Sequence, residues 1–257
     1  MDEEFPPPGP LDWLDGLTAM TVRELKSYFY SPLAWVGTTV FMFMQGVLFF
    51  GLIAFYSNPG APPQPGFYHI AQFSMFLMTF LLPALSMHLI SAERRQGTLE
   101  ALLTAPVSET QIVLAKFIGS LLFFLFMIAS LAVFVGILAH YDQWESGPIV
   151  GSGFGLLLIG GLFLSFGLLA SALTESQLVA FLASFLFNLA LVYGVNIVMR
   201  WTESIDARLY LGVVSIQNHF QDFSRGIVKV APVTFYLSSI WLCLFLTVRA
   251  LEARKWR

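Results

Sequence analysis

A charged stretch separates two long apolar segments of this chain: Glu93-Arg94-Arg95-Gln96-Gly97-Thr98-Leu99-Glu100-Ala101-Leu102-Leu103-Thr104-Ala105-Pro106-Val107-Ser108. The segment 27–92 before it contains no Asp, Glu, Lys or Arg, and neither does the segment 117–141 after it. Apolar segments of this length can cross a bilayer, whose hydrocarbon core needs about 20 residues of helix. The charged stretch is therefore predicted to face water between two membrane spans.

The composition of the whole chain also indicates a membrane protein. Of 257 residues, 57% are hydrophobic and only 11% are charged, whereas soluble domains carry about 25% charged residues. So few charges cannot cover a soluble surface, which excludes a soluble globular class. No nucleic-acid partner is expected.

Six membrane spans account for most of the chain, so the predicted fold class is an all-α integral membrane protein. A loop rich in proline and glycine at 57–66 and a very short turn at 174–177 bound the spans. Pro83 is expected to kink the second span. Two apolar pieces of the polar segment 200–229 are expected to be short interfacial helices. The predicted spans are 32–56, 68–91, 112–140, 149–173, 178–199 and 231–248.

The chain before the first span has two parts. Residues 1–16 are acidic and rich in proline, and they predict a flexible tail rather than a signal peptide. Thr21 and Glu24 match a capping box, which predicts that an amphipathic interface helix begins there. Pro32 predicts the start of a new helix immediately afterwards. The candidate interface residues are Arg23, Glu24 and Lys26.

The distribution of basic residues predicts the orientation of the spans. Six spans place both termini on one side of the membrane. With both termini inside, nine Lys and Arg residues are cytoplasmic and four are outside. The positive-inside rule therefore favours cytoplasmic N and C termini, and it places the charged stretch in the cytoplasm.

The sequence contains no recognisable motif for catalysis or metal binding. None of its four lysines follows a glycine, so the chain has no phosphate-binding loop of its own. Paired cysteines are absent, because Cys243 is the only cysteine. No catalytic residue, no metal site and no cofactor is therefore expected in this chain, and any ATP hydrolysis would belong to a partner.

A few polar side chains and small residues lie within the predicted spans. Polar groups at these depths line a path or join helices, and the sequence leaves both alternatives open. Glycines at four-residue spacing at the start of the fourth span indicate close packing against an unidentified helix. The polar residues are Gln45, His88, Asn188 and Asn196, and the glycines are Gly147, Gly151 and Gly155.

The charged stretch itself has the pattern of a short helix. Thr98 to Leu103 are mostly strong helix formers, Gly97 permits a sharp change of direction, and Pro106 ends the segment. A helix there would lie across the cytoplasmic ends of spans 2 and 3. An ordinary connecting loop with orientation-setting charges is the alternative from the pattern alone.

This stretch, from Glu93 to Val107, resembles the signature that follows the second span in exporter-type ABC transporter permeases, the ABC-2 family. Arg23-Glu24-Leu25-Lys26-Ser27-Tyr28-Phe29-Tyr30-Ser31-Pro32 is similar to that family's N-terminal interface helix. The segment His219-Phe220-Gln221-Asp222-Phe223-Ser224-Arg225-Gly226 before the last span also fits. Together they look most like the gliding-motility-type subgroup. The resemblance covers residues 17–257, the predicted permease domain.

The resemblance implies a function and a set of partners. Such a chain is a permease subunit of an ATP-driven exporter in the bacterial cytoplasmic (inner) membrane. It works with cytoplasmic ABC ATPase subunits, which bind ATP and Mg²⁺, with a second permease copy or a related permease, and with membrane lipids. Segment 93–106 would be the coupling helix that docks on an ATPase. The implied coupling residues are Glu93, Arg94, Arg95, Gly97, Thr98, Leu99 and Glu100.

A different class of function also fits the sequence. The chain could serve as a membrane anchor or scaffold of an envelope or motility complex, in contact with envelope proteins and without moving a substrate. Stimulation of ATP hydrolysis by a substrate would distinguish a transporter from a scaffold. The sequence does not name the substrate.

Overall fold

Helices make up the described part of the chain, which in this computed structural model comprises residues 10–56, 66–97, 108–141 and 146–255. No strand occurs within these ranges. The helices are α1 Pro10–Tyr30, α2 Pro32–Tyr56, α3 Gly66–Ser86, α4 Ser91–Arg95, α5 Glu109–Ala129, α6 Ala132–Tyr141, α7 Ser146–Leu173, α8 Gln177–Leu189, α9 Val195–Trp201, α10 Ile205–Val214, α11 Ile216–Ser224 and α12 Val230–Lys255, with a π-helical turn at Ala190–Gly194 between α8 and α9.

Six segments among the described residues are long and apolar enough to cross a membrane, as the sequence predicted. Each overlaps one predicted span, and the boundaries differ by a few residues. The two apolar pieces of segment 200–229 that were expected to be short helices overlap α10 and α11, and their place at a membrane interface stays a prediction. Spans 1 to 6 are Pro32–Phe55, Tyr68–Arg95, Glu109–Ile137, Ser146–Leu173, Gln177–Trp201 and Val230–Ala253.

Span 4 forms the centre of the bundle. Within its most apolar window 83% of the residues are buried, against 22% for spans 1, 5 and 6. It contacts spans 2, 3, 5 and 6 as well as α11. Glycines allow this close approach: Gly160 faces the Phe124 ring of span 3, and Gly161 faces Ile240 of span 6. Because backbones approach where side chains are small, the glycine-rich sequence explains why span 4 is central.

The glycine stripe at the start of span 4 packs against α11, which the sequence did not identify. A Cβ atom at Gly155 would lie 2.8 Å from the Phe223 ring, and one at Gly151 would overlap the Phe223 carbonyl oxygen. Gly226 follows α11 with a φ of +74° and lies directly against Gly147. The predicted close packing is therefore confirmed, and its partner is a helix that does not span the membrane.

Span 2 is interrupted near its C-terminal end. Regular helix stops at Ser86, three residues after Pro83, and resumes at Ser91. Ser171 of span 4 bridges the gap: its hydroxyl accepts hydrogen bonds from the backbone N–H groups of Ile90 and Ser91, at 3.0 and 2.9 Å, and donates to the Met87 carbonyl at 3.0 Å. The irregularity predicted from Pro83 is thus a break in the helix that a neighbouring span stabilises.

The N-terminal helix α1 begins earlier than the sequence indicated. It is helical from Pro10, so the prediction that a capping box at Thr21 starts the helix is wrong. The Thr21 hydroxyl instead donates to the Leu17 carbonyl one turn back, at 2.8 Å, within a continuous helix. Residues 10–16 of the predicted tail therefore belong to α1, and residues 1–9 lie outside the described part. The break before Pro32 is confirmed.

Candidate coupling site at the end of spans 2 and 3

A buried lysine joins three elements beside the charged stretch. The Lys116 ammonium of span 3 donates to Glu93 Oε1 at 2.7 Å and to Glu24 Oε1 at 3.1 Å. Its side chain is 2% exposed, and those of Glu24 and Glu93 are 12% and 24% exposed. We call these three residues the Lys116 cluster. It ties α1, the end of span 2 and the start of span 3 together.

Helix α1 runs alongside the N-terminal half of span 3. The Gln111 amide donates to the Trp13 carbonyl at 2.9 Å, Glu24 contacts Lys116, and the Tyr28 ring stacks on Phe123 at 5.1 Å. Contacts therefore occur in the same order along both helices, so α1 and span 3 run parallel. The predicted interface helix is thus attached to a span along its length rather than at one point.

Tyr28 fastens the C-terminal end of α1 to span 2. Its hydroxyl donates to the Leu85 carbonyl at 3.1 Å, and its ring meets the ring of His88 edge-on at 5.8 Å. Burial raises the pKa of the Tyr28 hydroxyl, and the nearby Glu24 carboxylate raises it further. The phenol therefore remains neutral and keeps its donor proton for Leu85.

The Lys116 cluster contains two carboxylates for one ammonium. Taking these charges out of water costs free energy, which the short hydrogen bonds offset only while all three partners are present. Removing the ammonium would leave two carboxylates close together in a largely buried setting. A change that separates α1 from spans 2 and 3 must therefore also separate these charges, so the three elements are expected to move as one unit.

Arg94 lies beside the cluster but faces another part of the protein. Its guanidinium pairs with the Glu175 carboxylate in the short turn between spans 4 and 5. Arg95 and Gly97 are exposed, and Gly97 has a φ of +70°, the left-handed conformation that glycine adopts readily. This φ is compatible with the predicted change of direction, and the residues that follow Gly97 lie outside the described part.

The far side of the charged stretch begins a new helix with a capping box. The Ser108 hydroxyl accepts from the Gln111 N–H at 3.3 Å, and the Gln111 side chain accepts from the Ser108 N–H at 2.8 Å. Between Gly97 and Ser108 lie the predicted coupling residues Thr98, Leu99 and Glu100, which are outside the described residues. Fixed elements therefore flank this segment on both sides.

The remaining interface residues are on the surface of α1. Arg23 is 57% exposed at its side chain and pairs with its neighbour Glu24 at 3.3 Å. Lys26 is exposed. Of the three residues proposed for this helix, Glu24 alone joins the buried cluster.

The polar residues within the spans do not gather at one place. Gln45 is fully buried and donates to Ser74 Oγ at 2.5 Å, which joins spans 1 and 2. Asn196 accepts from Ser215 Oγ at 3.2 Å, which joins span 5 to the start of α11. The observed hydrogen bonds of Gln45 and Asn196 therefore connect neighbouring helices.

His88 and Asn188 are placed differently. His88 lies in the turn that interrupts span 2 and faces Tyr28. Asn188 is fully buried in span 5, two residues before the π-helical turn, and neither amide atom has a hydrogen-bond partner within the described structure. His88 thus belongs to the surroundings of the Lys116 cluster, whereas Asn188 does not.

Sequence reasoning missed several residues of this site. Lys116 counted only toward the charge balance, although a lone lysine at the border of an apolar span requires a buried acidic partner. Ser171 and Glu175 gave no signal, because their partners are about 80 residues away in the chain. Among the described residues, no group of three or more His, Cys, Asp or Glu side chains could hold a metal ion.

Comparison with known proteins agrees with this architecture. A family model described as ABC-2 family transporter protein matches residues 30–196. The chain is also 29% identical over 160 residues to proteins described as probable multidrug ABC transporter permease YbhR, from Escherichia coli K12 and from Escherichia coli O157:H7. That alignment covers 62% of this chain and 43% of each relative, so the chain spans less than half the length of these curated relatives.

The matched region contains spans 1 to 4 and most of span 5, with Glu93, Lys116 and the break in span 2, whereas Glu24 of the Lys116 cluster precedes it. Proteins of this kind are membrane permease components of ABC transporters, without an ATPase domain of their own. Because the family model matches more than half of its residues, this chain belongs to the ABC-2 family of transporter proteins.

Proposed function

We propose that this chain is the permease subunit of an ATP-driven exporter and that the Lys116 cluster carries movement from a partner ATPase into the membrane. The observation that carries the proposal is the contact of one buried ammonium with α1, span 2 and span 3. An ATPase that pushes on segment 93–106 would move the ends of spans 2 and 3 together, and α1 would follow.

Several finer parts of the proposal rest on the family and on the sequence. The partners are cytoplasmic ABC ATPase subunits carrying ATP and Mg²⁺, and a second copy of this chain or a related permease. The chain would sit in a bacterial inner membrane with both termini in the cytoplasm. The similarity to probable multidrug permeases suggests a multidrug cargo. The gliding-motility subgroup stays a prediction from sequence resemblance.

The structure suggests which arginine would meet the ATPase. Arg94 is engaged with Glu175 inside the permease, whereas Arg95 is exposed. Arg95 would therefore contact the ATPase directly, and Arg94 would hold the span 2 end against the turn between spans 4 and 5. The sequence predicted that both arginines contact the ATPase, whereas this assignment gives that contact to Arg95 alone.

Co-purification of the tagged full chain with its ATPase subunit tests the assignment. Arg95→Glu is expected to lower ATPase recovery several-fold without changing the thermal midpoint of the permease. Arg94→Glu is expected to weaken recovery only through the broken ion pair, so the exchange Arg94→Glu with Glu175→Arg should restore it. Arg249→Glu, in the exposed C-terminal part of span 6, is the matched control.

Two outcomes would contradict the proposal. Equal ATPase recovery with wild type and Arg95→Glu would show that this surface is not the docking site. Recovery of envelope proteins without any ATPase would favour the anchor or scaffold function instead. Where an ATPase is recovered, stimulation of its ATP hydrolysis by a cargo would distinguish a transporter from a scaffold.

A further inference from the structure

Two adjoining cavities open at the end of the bundle opposite the Lys116 cluster. Glu175, which pairs with Arg94, precedes span 5, whereas Asn196 and Arg200 lie at the other end of the same span. One cavity, of about 530 Å³, is lined by Asn196, Met199, Arg200, Arg208 and Gln217. The other, of about 320 Å³, is lined by Leu48, Leu52, His69, Gln72, Phe73, Met75, Phe76, Tyr193 and Gln217.

The first cavity is basic. Two arginines line it, Arg200 at the end of span 5 and Arg208 in α10. No carboxylate occurs among its described lining residues. Guanidinium groups match the geometry of phosphate, sulfate and carboxylate oxygens, and the Asn196 and Gln217 amides add further donors. The cavity therefore suits an anionic group.

The second cavity is mainly apolar. Spans 1, 2 and 5 supply leucine, methionine and aromatic side chains to it, and His69 and Gln72 are its polar members on span 2. Its volume falls at the small end of the range of about 300–1,000 Å³ that is usual for ligand sites. This space suits a single hydrocarbon chain better than two.

Gln217 lines both cavities, so they adjoin at this residue. The backbone around them is held in place: Arg208 Nε donates to the Thr202 carbonyl at 2.6 Å, and Ser215 bonds to Asn196. The π-helical turn Ala190–Gly194 supplies Tyr193 to the apolar cavity. π-helical turns of this kind occur frequently at functional sites, because they redirect side chains from a regular helix.

From this arrangement we infer that the paired cavities bind an anionic single-chain amphiphile. Its phosphate, sulfate or carboxylate head would lie between Arg200 and Arg208, and its hydrocarbon chain would lie along Phe73 and Leu52 beside Tyr193. Charge complementarity and the position of a basic cavity and an apolar one on either side of Gln217 determine this choice. Such binding needs no ATPase subunit, so its test is independent of the proposed function.

Native mass spectrometry of the purified full chain, released from a neutral maltoside detergent, tests the inference with dodecyl phosphate as the probe. One retained probe molecule per chain is expected at concentrations where inorganic phosphate and dodecanol leave none. The double variant Arg200→Gln and Arg208→Gln should need at least tenfold more probe for the same occupancy. Arg225→Gln, an exposed arginine of the same polar segment outside both cavities, is the matched control.

Two further variants separate loss of binding from loss of folding, and recognition of the anionic head from recognition of the hydrocarbon chain. Arg200→Gln alone spares the Arg208 bond to Thr202, so it should lose affinity while keeping the wild-type thermal midpoint. Leu52→Trp narrows the apolar cavity, so it should weaken dodecyl phosphate and leave butyl phosphate unaffected. Unchanged occupancy in the double variant, or equal retention of inorganic phosphate and dodecyl phosphate, would overturn the inference.

A two-chain lipid probe distinguishes a single-chain ligand from bulk membrane lipid. Dioleoyl phosphatidylglycerol has an anionic head but twice the hydrocarbon width. Weaker retention of this lipid than of dodecyl phosphate would support a single-chain ligand such as a cargo. Stronger retention of the two-chain lipid would assign the cavities to bulk anionic lipid and overturn the single-chain part of the inference.

Discussion

The Lys116 ammonium of span 3 lies 2.7 Å from the Glu93 carboxylate of span 2, so one ion pair closes the segment of chain between these two spans. Glu93 and Lys116 are separated by 23 residues, which include the charged stretch that distinguishes this sequence. Movement of that stretch relative to the bundle must act on a segment whose two ends are already joined. A push on it would therefore reach both spans at the same time.

Replacing Lys116 should destabilise the protein more than any other single charge change. Lys116→Met keeps the length and apolar character of the side chain but removes the buried ammonium that donates to both Glu24 and Glu93. Breaking a buried pair in this way costs about 3–5 kcal/mol. The thermal midpoint in detergent measures the loss, and Lys229→Met, whose ammonium is 58% exposed, is the control. Equal midpoints for both variants would contradict the structural role of the cluster.

Ser171→Ala should destabilise the break in span 2. Without the hydroxyl, the N–H groups of Ile90 and Ser91 lose their acceptor in a buried position, at a cost of about 1–3 kcal/mol. Ser120→Ala is the control, because its equally buried hydroxyl bonds only to the Phe117 carbonyl of its own helix. Hydrogen exchange at residues 87–91 should increase in the first variant alone. Unchanged exchange there would show that Ser171 does not support the break.

Gly155→Ala tests the packing of α11 against span 4. The added Cβ would lie 2.8 Å from the Phe223 ring and within 3.1 Å of two further Phe223 atoms, so α11 must shift. Overpacking of this kind costs about 1–3 kcal/mol. Gly153→Ala has open space around its Cβ and should be neutral or slightly stabilising. If Phe223→Ala fails to relieve the effect of Gly155→Ala, the clash is not the cause.

The sequence predicted the features that depend on local composition. Runs of apolar residues determined the number and approximate limits of the spans, Pro32 and Pro83 marked a helix start and a disturbed helix, and Gly97 adopts the left-handed conformation that glycine permits. These residues act through their own backbone, so their effects can be derived from neighbours in the chain.

Features that depend on partners far away in the chain could not be derived in this way. The capping-box pattern at Thr21 lies inside a helix that already begins at Pro10, and the Thr21 hydroxyl donates to Leu17, so the local motif did not mark a boundary. Glu24 and Glu93 meet at Lys116 only because α1 runs parallel to span 3. The basic cavity depends on α10 folding back to place Arg208 near Arg200. A single sequence contains no direct signal for contacts between residues that lie so far apart in the chain.

Acidification should weaken the packing of α11 through His219. Burial lowers the pKa of this imidazole below its ordinary value of about 6.5, an effect that Lys229 reinforces and that Asp222 and a hydrogen bond with the Val213 backbone oppose. The unfolded chain therefore binds the proton more readily than the folded one. Stability is complete above the unfolded pKa and falls as the pH drops below it.

The thermal midpoint measured between pH 8 and pH 5 checks this expectation. The wild type should lose more stability over that range than His219→Gln, and the difference between the two isolates His219 from His69, His88 and His140. Hydrogen exchange of α11 should rise at low pH in the wild type alone, because protonation places a charge among Phe220, Phe235 and Tyr236. Parallel pH profiles for the two proteins would show that His219 does not control this contact.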